Sequence, residues 1–177
     1  MSRIAEVNVD AVADRALVDA VVARRGARGL IQLDSMLLHS PEYARGWNAF
    51  LGAVRTRLAI AAPLRELAIC AVARLTGADF EWQQHVIEWR RAGARDEQVV
   101  ALEEPVAAAA NAQLFSALER AVLKLVVEMT STVTVTDATF NEVRHHLSDI
   151  ETVELVGVIA AYNCVARFLV ALEIDRE

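Results

Sequence analysis

The stretch over residues 63–93, PLRELAICAVARLTGADFEWQQHVIEWRRAG, constrains the fold more than any other part of the chain. It reads as two helices hinged at Thr76-Gly77-Ala78. Pro63 suits the first turn of a helix, where its missing N–H has no partner to lose. Gly77 falls where a helix stops, because glycine enters the left-handed region cheaply. Asp79 is then placed to cap the next helix by accepting a backbone N–H. Arg90 and Arg91 suit the negative end of that helix, and Gly93 closes it. Two helices joined by so short a turn pack as antiparallel neighbours.

The same hairpin holds the best candidate chemistry. Glu81 and His85 are four residues apart and share one helix face. Trp82 and Trp89 flank that face. Glu66 lies on the preceding helix among Leu67, Ile69, Cys70 and Ala73. A carboxylate in such company is costly to bury unless something pairs with it. Antiparallel packing lets Glu66 approach His85. Two carboxylates and one imidazole form a candidate acid–base constellation, with His85, Glu81 and Glu66 as catalytic residues. Trp82 and Trp89 are candidates for the substrate pocket. Plainer readings compete: a simple helix pair for Glu81 and His85, an arginine partner such as Arg65 or Arg74 for Glu66, and core or interface positions for the tryptophans.

The remaining segments are also helical in pattern. Residues 9–25 carry apolar side chains at Val12, Leu17, Val18 and Val21, with Gly26 behind them. A short connector at Gly29 to Ile31 follows. Ser40-Pro41 is a helix start, leading into a stripe through Tyr43, Trp47, Phe50, Leu51, Val54 and Leu58. Asp96 is expected to cap a short helix. Ser116/Glu119 and Ser148/Glu151 have the spacing of capping boxes, and Thr136 that of a cap. Residues 130–136 are rich in β-branched side chains and read as an extended connector. Many helical segments and few strand signals predict an all-α fold. One domain is expected over residues 1–177, with residues 1–40 as an N-terminal extension and 41–172 as the core.

Charge and composition exclude several classes. A net charge of −6 argues against a nucleic-acid partner, and the pairs Arg24-Arg25 and Arg90-Arg91 read as solvated helix ends. The chain is 55% hydrophobic. Its most apolar tract, residues 155–171, is interrupted by Asn163 and Arg167, so the apolar surplus reads as subunit interface rather than membrane span. No secretory leader pattern opens the sequence, which makes the cytoplasm the expected compartment. Cys70 and Cys164 form no Cys-x-x-Cys motif, and both read as buried, inert thiols. The spacing is Glu-x-x-x-His, not the Glu-x-x-His of helical di-iron sites, and HExxH is absent. No metal and no cofactor are therefore expected.

Taken together, Glu66-Leu67, Leu75-Thr76-Gly77-Ala78, Glu81-Trp82, His85 and Arg91-Ala92-Gly93 resemble the carboxymuconolactone decarboxylase family, whose superfamily includes the alkylhydroperoxidase D-like proteins. The tail Tyr162-Asn163-Cys164-Val165-Ala166-Arg167-Phe168 is similar to the C-terminal helix of that group. The resemblance runs from about Pro41 to Leu172. It implies an alkylhydroperoxidase D-like helical bundle with antiparallel hairpins, assembled as a homo-oligomer, a trimer or a hexamer. The peroxidase branch carries a glutamate, a Cys-x-x-Cys pair and then a histidine. Here Glu66 and His85 stand at the matching spacing, but Ala78 and Glu81 occupy the thiol positions. Without a thiolate there is no peroxide-attacking group. The resemblance thus implies a cofactor-free enzyme acting on a lactone or an unsaturated carboxylic acid by decarboxylation, isomerisation or hydrolysis. The alternatives are an alkylhydroperoxidase-like antioxidant protein, which the missing thiol pair disfavours, and a non-catalytic helical oligomer that binds a small ligand or a protein.

Overall fold

The computed structural model of the chain describes residues 2–174. Ten α-helices succeed one another, and no strand occurs among the described residues. They are α1 (Arg15–Arg25), α2 (Gln32–Leu37), α3 (Pro41–Thr56), α4 (Ala62–Thr76), α5 (Asp79–Arg91), α6 (Asp96–Ala101), α7 (Pro105–Ala108), α8 (Ala117–Ser131), α9 (Asp137–His146) and α10 (Asp149–Leu172). The fold is all-α, as the periodicity predicts.

Two compact units divide the chain: one holds residues up to Leu58 and resumes at Ala171, and the other runs from Ala59 to Val170. Sequence reading set the border between extension and core at residue 40; the packing divides after Leu58. In the first unit α1 and α2 pack on α3, with Leu17, Val18, Val21, Trp47, Leu51 and Val54 buried.

The second unit is built around α4. Leu64 and every residue from Glu66 to Ala73 are buried. A stretch buried on all sides must be apolar on nearly all sides, and residues 66–73 are, apart from Glu66. α5 and α8 pack against it. α8 contributes Ala121, Val122, Leu123, Leu125 and Val126, all buried, and α9 and α7 lie against α8. Asn163 of α10 donates from Nδ2 to the Thr130 hydroxyl of α8 at 3.0 Å. The Glu154 carboxylate of α10 accepts from the Ile60 N–H at 2.8 Å.

α10 is the one helix among the described residues long and apolar enough to cross a membrane, judged by length and composition. Half of that apolar window is buried inside the protein, including Leu155, Val158, Ile159 and Val165. This is the pattern of a core helix.

Several local expectations hold. The Ser116 hydroxyl accepts from Glu119 N, and Glu119 accepts from Ser116 N. Ser148 and Glu151 exchange the same two bonds, and Thr136 caps α9. Others need correction. Asp79 is the first residue of α5 and Ala78 is the cap, so its carboxylate acts on the helix dipole from the first turn. Asp96 likewise sits inside α6, where the Gln98 side chain takes the Arg95 N–H at 3.1 Å. Ser40 precedes α3 without a side-chain cap bond. Residues 9–25 split into a 3-10 turn, Val9–Ala11, and α1, which Asp14 caps through Leu17 N. α2 has no counterpart in the sequence reading. α8 runs through Thr130 and Ser131, shortening the expected connector. Cys70 is buried as expected, but Cys164 is exposed.

Gly77 adopts φ +67° at the end of α4, a conformation that costs a residue with a Cβ about 1–2 kcal/mol. A Cβ there would meet nothing, so the cost is purely conformational. Gly77→Ala is expected to destabilise the protein by about 1 kcal/mol in denaturant titration. Gly46→Ala, in the interior of α3 and also in open space, is expected to stabilise it by about 0.5–1 kcal/mol.

Candidate functional site

The α4–α5 hairpin places Glu66, Glu81 and His85 together. Glu66 comes from the second turn of α4, and Glu81 and His85 from one face of α5. Gly77 makes this possible by turning the chain within one residue, so that α5 returns along α4.

His85 is 2% exposed and sits between the two carboxylates. Its Nδ1 lies 2.7 Å from Glu66 Oε2, and its Nε2 lies 3.2 Å from Glu81 Oε2. Glu66 Oε1, the other oxygen, accepts from Arg65 Nε at 3.1 Å. The side chains thus run Arg65, Glu66, His85, Glu81, with charge alternating along the row. Glu66 and Glu81 are themselves 5% and 6% exposed. The ring of Tyr162, from α10, meets the imidazole in a T-shaped contact, with ring centroids 4.9 Å apart and planes at 84°.

This geometry sets the protonation states. Burial alone would push the imidazole's pKa down by disfavouring the cation. Hydrogen bonds to Glu66 and Glu81, and their negative charges, outweigh burial and raise it above its ordinary value. For Glu66 burial acts upward, and His85 and Arg65 together outweigh it, so the pKa is lowered. Both shifts favour the charged pair. Burial also pushes the Cys70 thiol well above its usual range, and the Glu66 and Glu81 carboxylates add to that rise.

The two carboxylates engage opposite nitrogens of one ring, so they do not converge on a common point. Among the described residues no group of three His, Cys, Asp or Glu is arranged to hold a metal ion.

Trp89 is buried at 2% exposure, in the core of α5. Trp82 is half-buried, with the Arg74 guanidinium 4.9 Å from its ring centroid. Arg74 also pairs with Glu103 and reaches Asp79 at 3.6 Å, so it is not the partner of Glu66. Asn163 and Arg167 are joined within α10 by a bond from Arg167 Nη1 to Asn163 Oδ1 at 2.6 Å. An open cleft of about 460 Å3 lies between α7 and α8, lined by Val106, Ala109, Ala110, Arg120, Lys124, Val127 and Glu128, none of them from the trio.

Sequence reasoning assigned no role to Tyr162. Its signal is its place among Val158, Ile159, Ala161 and Val165, the buried stripe of α10, where a tyrosine brings a hydroxyl into a core.

Comparison with known proteins defines the class first. The fold matches that of a peroxidase-related protein from Ralstonia eutropha JMP134 described as an alkylhydroperoxidase AhpD core, with a TM-score of 0.82 and 15% identity over 99% of this chain and 92% of that one. A variant of the debrominase Bmp8 in complex with 2,3,4-tribromopyrrole matches with a TM-score of 0.80 and 14% identity, covering all of this chain and 94% of that one. A protein of unknown function from Agrobacterium tumefaciens matches at 0.69 and 22% identity, over 78% and 93% of the two chains. This is the alkylhydroperoxidase D-like helical fold. Residues 41–126 match the model of the carboxymuconolactone decarboxylase family, which together with the fold supports the carboxymuconolactone decarboxylase and alkylhydroperoxidase D-like superfamily. No curated protein matches it in sequence.

The paired charges make a prediction with a defined pH window. The raised pKa of His85 contributes stability fully present below the unfolded histidine value, 6.5, and lost as pH rises through the folded value. The lowered pKa of Glu66 contributes stability fully present above 4.5 and lost as pH falls through its folded value. The stability difference between wild type and Glu66→Gln is therefore expected to be largest between pH 4.5 and 6.5, falling on both sides, in denaturant titrations at stepped pH. In NMR titration, Glu66→Gln is expected to lower the His85 pKa, since it removes a hydrogen-bonded carboxylate that raises it. An unchanged midpoint would show that the two groups are not coupled.

Proposed function

We propose that the chain is a cofactor-free small-molecule enzyme that uses His85, Glu66 and Glu81 for acid–base chemistry on a lactone or an unsaturated carboxylic acid. The observation that carries this reading is the buried imidazole held between two carboxylates, which raise its pKa and so favour its proton-donating form. In a decarboxylation the C–C bond to the carboxylate breaks, CO2 leaves, and the electron pair passes into the unsaturated system. The imidazolium of His85 then returns a proton to carbon. Glu66 fixes the Nδ1 side and holds the positive charge, while Glu81 orients the Nε2 side. The same proton traffic serves isomerisation of a double bond or hydrolysis of a lactone. Trp82 and Trp89 serve as apolar walls of the substrate pocket.

Thiol peroxidase chemistry is disfavoured. Ala78 and Glu81 stand where that branch has its thiols, and Cys70 is buried with its thiolate suppressed. A second reading rests on the burial of His85: a site this enclosed and this well paired also suits a structural charge network in a non-catalytic helical oligomer. In either reading the chain is a homo-oligomer, a trimer or a hexamer, working in the cytoplasm. Support for assembly comes from exposed apolar side chains such as Ile150 and Val153, one helical turn apart on α10, at 66% and 70% exposure.

Turnover screens over lactones, unsaturated acids and peroxides test the reading. The expected outcome is activity on a lactone or unsaturated acid that His85→Ala reduces by at least about a hundredfold, the scale of general acid–base catalysis. Peroxide reduction abolished in Cys70→Ser would contradict it. Light scattering is expected to give three or six chains per particle, and a stable monomer at micromolar concentration would count against assembly.

A further inference from the structure

Arg24 and Arg25, at the end of α1, are not the solvated pair that their sequence implies. Both turn inward onto Asp34 of α2, whose side chain is fully buried. Arg25 grips it with two bonds, Nε to Oδ2 at 2.7 Å and Nη2 to Oδ1 at 2.8 Å. Arg24 Nη2 reaches Oδ1 at 3.3 Å, and Arg24 Nε donates to Asn48 Oδ1. Asp34 Oδ2 also accepts from Ile31 N at 3.0 Å. These bonds fix two guanidinium groups in place with one carboxylate between them.

The two arginines line a cavity of about 150 Å3, completed by Arg28, Gly52, Arg55 and Thr56. No acidic side chain lines it. The side chains of Arg28 and Arg55 make no ion pair or hydrogen bond among the described residues. Four arginines therefore line one cavity, and a single carboxylate, Asp34, pairs with two of them, in a chain whose net charge is −6. The ends of α1 and α3 attract cations through their free carbonyls, which accounts for an arginine at each. That attraction does not account for a concave site that gathers four. Gly52 sharpens the point. It sits inside α3, where glycine costs about 0.5–1 kcal/mol relative to alanine, and its missing side chain leaves the cavity wall open beside Arg24 Cδ, 3.5 Å from where a Cβ would be.

The geometry points to an anion site in the first unit that takes a phosphate-type dianion, free or as the monoester of a small metabolite. Guanidinium forks match the oxygens of such a group in pairs. Arg24 and Arg25, already held in place by Asp34 and Asn48, lose little freedom on binding; Asp34 cancels one of their two charges, and Arg28 and Arg55 add two more. The cavity holds one phosphoryl group and little more, so any organic part of the ligand extends outward.

Calorimetric titration with inorganic phosphate and with phenyl phosphate, at an ionic strength held constant with sodium chloride, tests the site. Saturable binding of at least one probe is expected, at one per chain. Arg28→Gln/Arg55→Gln should weaken it at least tenfold. Neither side chain has a hydrogen-bond or ion-pair partner to lose, so the melting temperature of this variant should stay within a few degrees of wild type, the scale of the helix-end attraction that Arg55 gives up. Arg57→Gln, exposed at the end of α3 and outside the lining, should bind as the wild type does. Tighter binding of inorganic phosphate would make the free ion the ligand, and tighter binding of phenyl phosphate a monoester. Absence of saturable binding for both probes, or equal weakening in Arg57→Gln, would overturn the proposal.

Discussion

Everything distinctive about this chain depends on one buried contact set: an imidazole with a carboxylate at each nitrogen. Three ionisable groups sit at 2–6% exposure in the α4–α5 hairpin. Burying any one of them alone would be strongly unfavourable. Together they are tolerated because each charge has its complement within hydrogen-bonding distance, and because Arg65 neutralises the charge left over at Glu66. The fold is arranged to keep them together. Residues 66–73 of α4 are enclosed on all sides, Gly77 reverses the chain within a residue, and the ring of Tyr162 meets the imidazole from α10.

The trio also marks where this chain parts from the thiol-bearing members of its superfamily. Glu81 stands at one of the thiol positions, so the group facing His85 Nε2 is an oxygen acid rather than a sulfur nucleophile. Burial suppresses the thiolate of Cys70, one turn along α4 from Glu66, and the Glu66 and Glu81 carboxylates add to that. The fold is common to peroxidase-related proteins and a debrominase, so it does not by itself choose a reaction.

Much of this was legible in the sequence. Pro63 and Gly77 fix the hairpin, and the four-residue spacing of Glu81 and His85 places them on one face, so the convergence with Glu66 followed from helix geometry alone. The Ser/Glu capping boxes were readable because they rest on bonds between residues three apart. What escaped was less local. α2 is six residues long and is held by a buried Asp34 whose partners lie nine and ten residues back, a distance that no helical period reveals. The same contact turned Arg24-Arg25 from an apparent surface pair into a buried one. Asp79 and Asp96 were read as caps because aspartate favours that position, yet in both helices the chain entered one residue earlier. Cys164 lies in a tract apolar enough to suggest burial, but on the face of α10 that points outward.

The central claim is that two carboxylates keep the His85 imidazole charged to a higher pH than an ordinary histidine. An NMR titration of protein labelled with nitrogen-15 in its histidine rings tests this directly. The account predicts that the His85 ring loses its second proton with a midpoint above the ordinary histidine value of 6.5. A midpoint at or below 6.5 would contradict it.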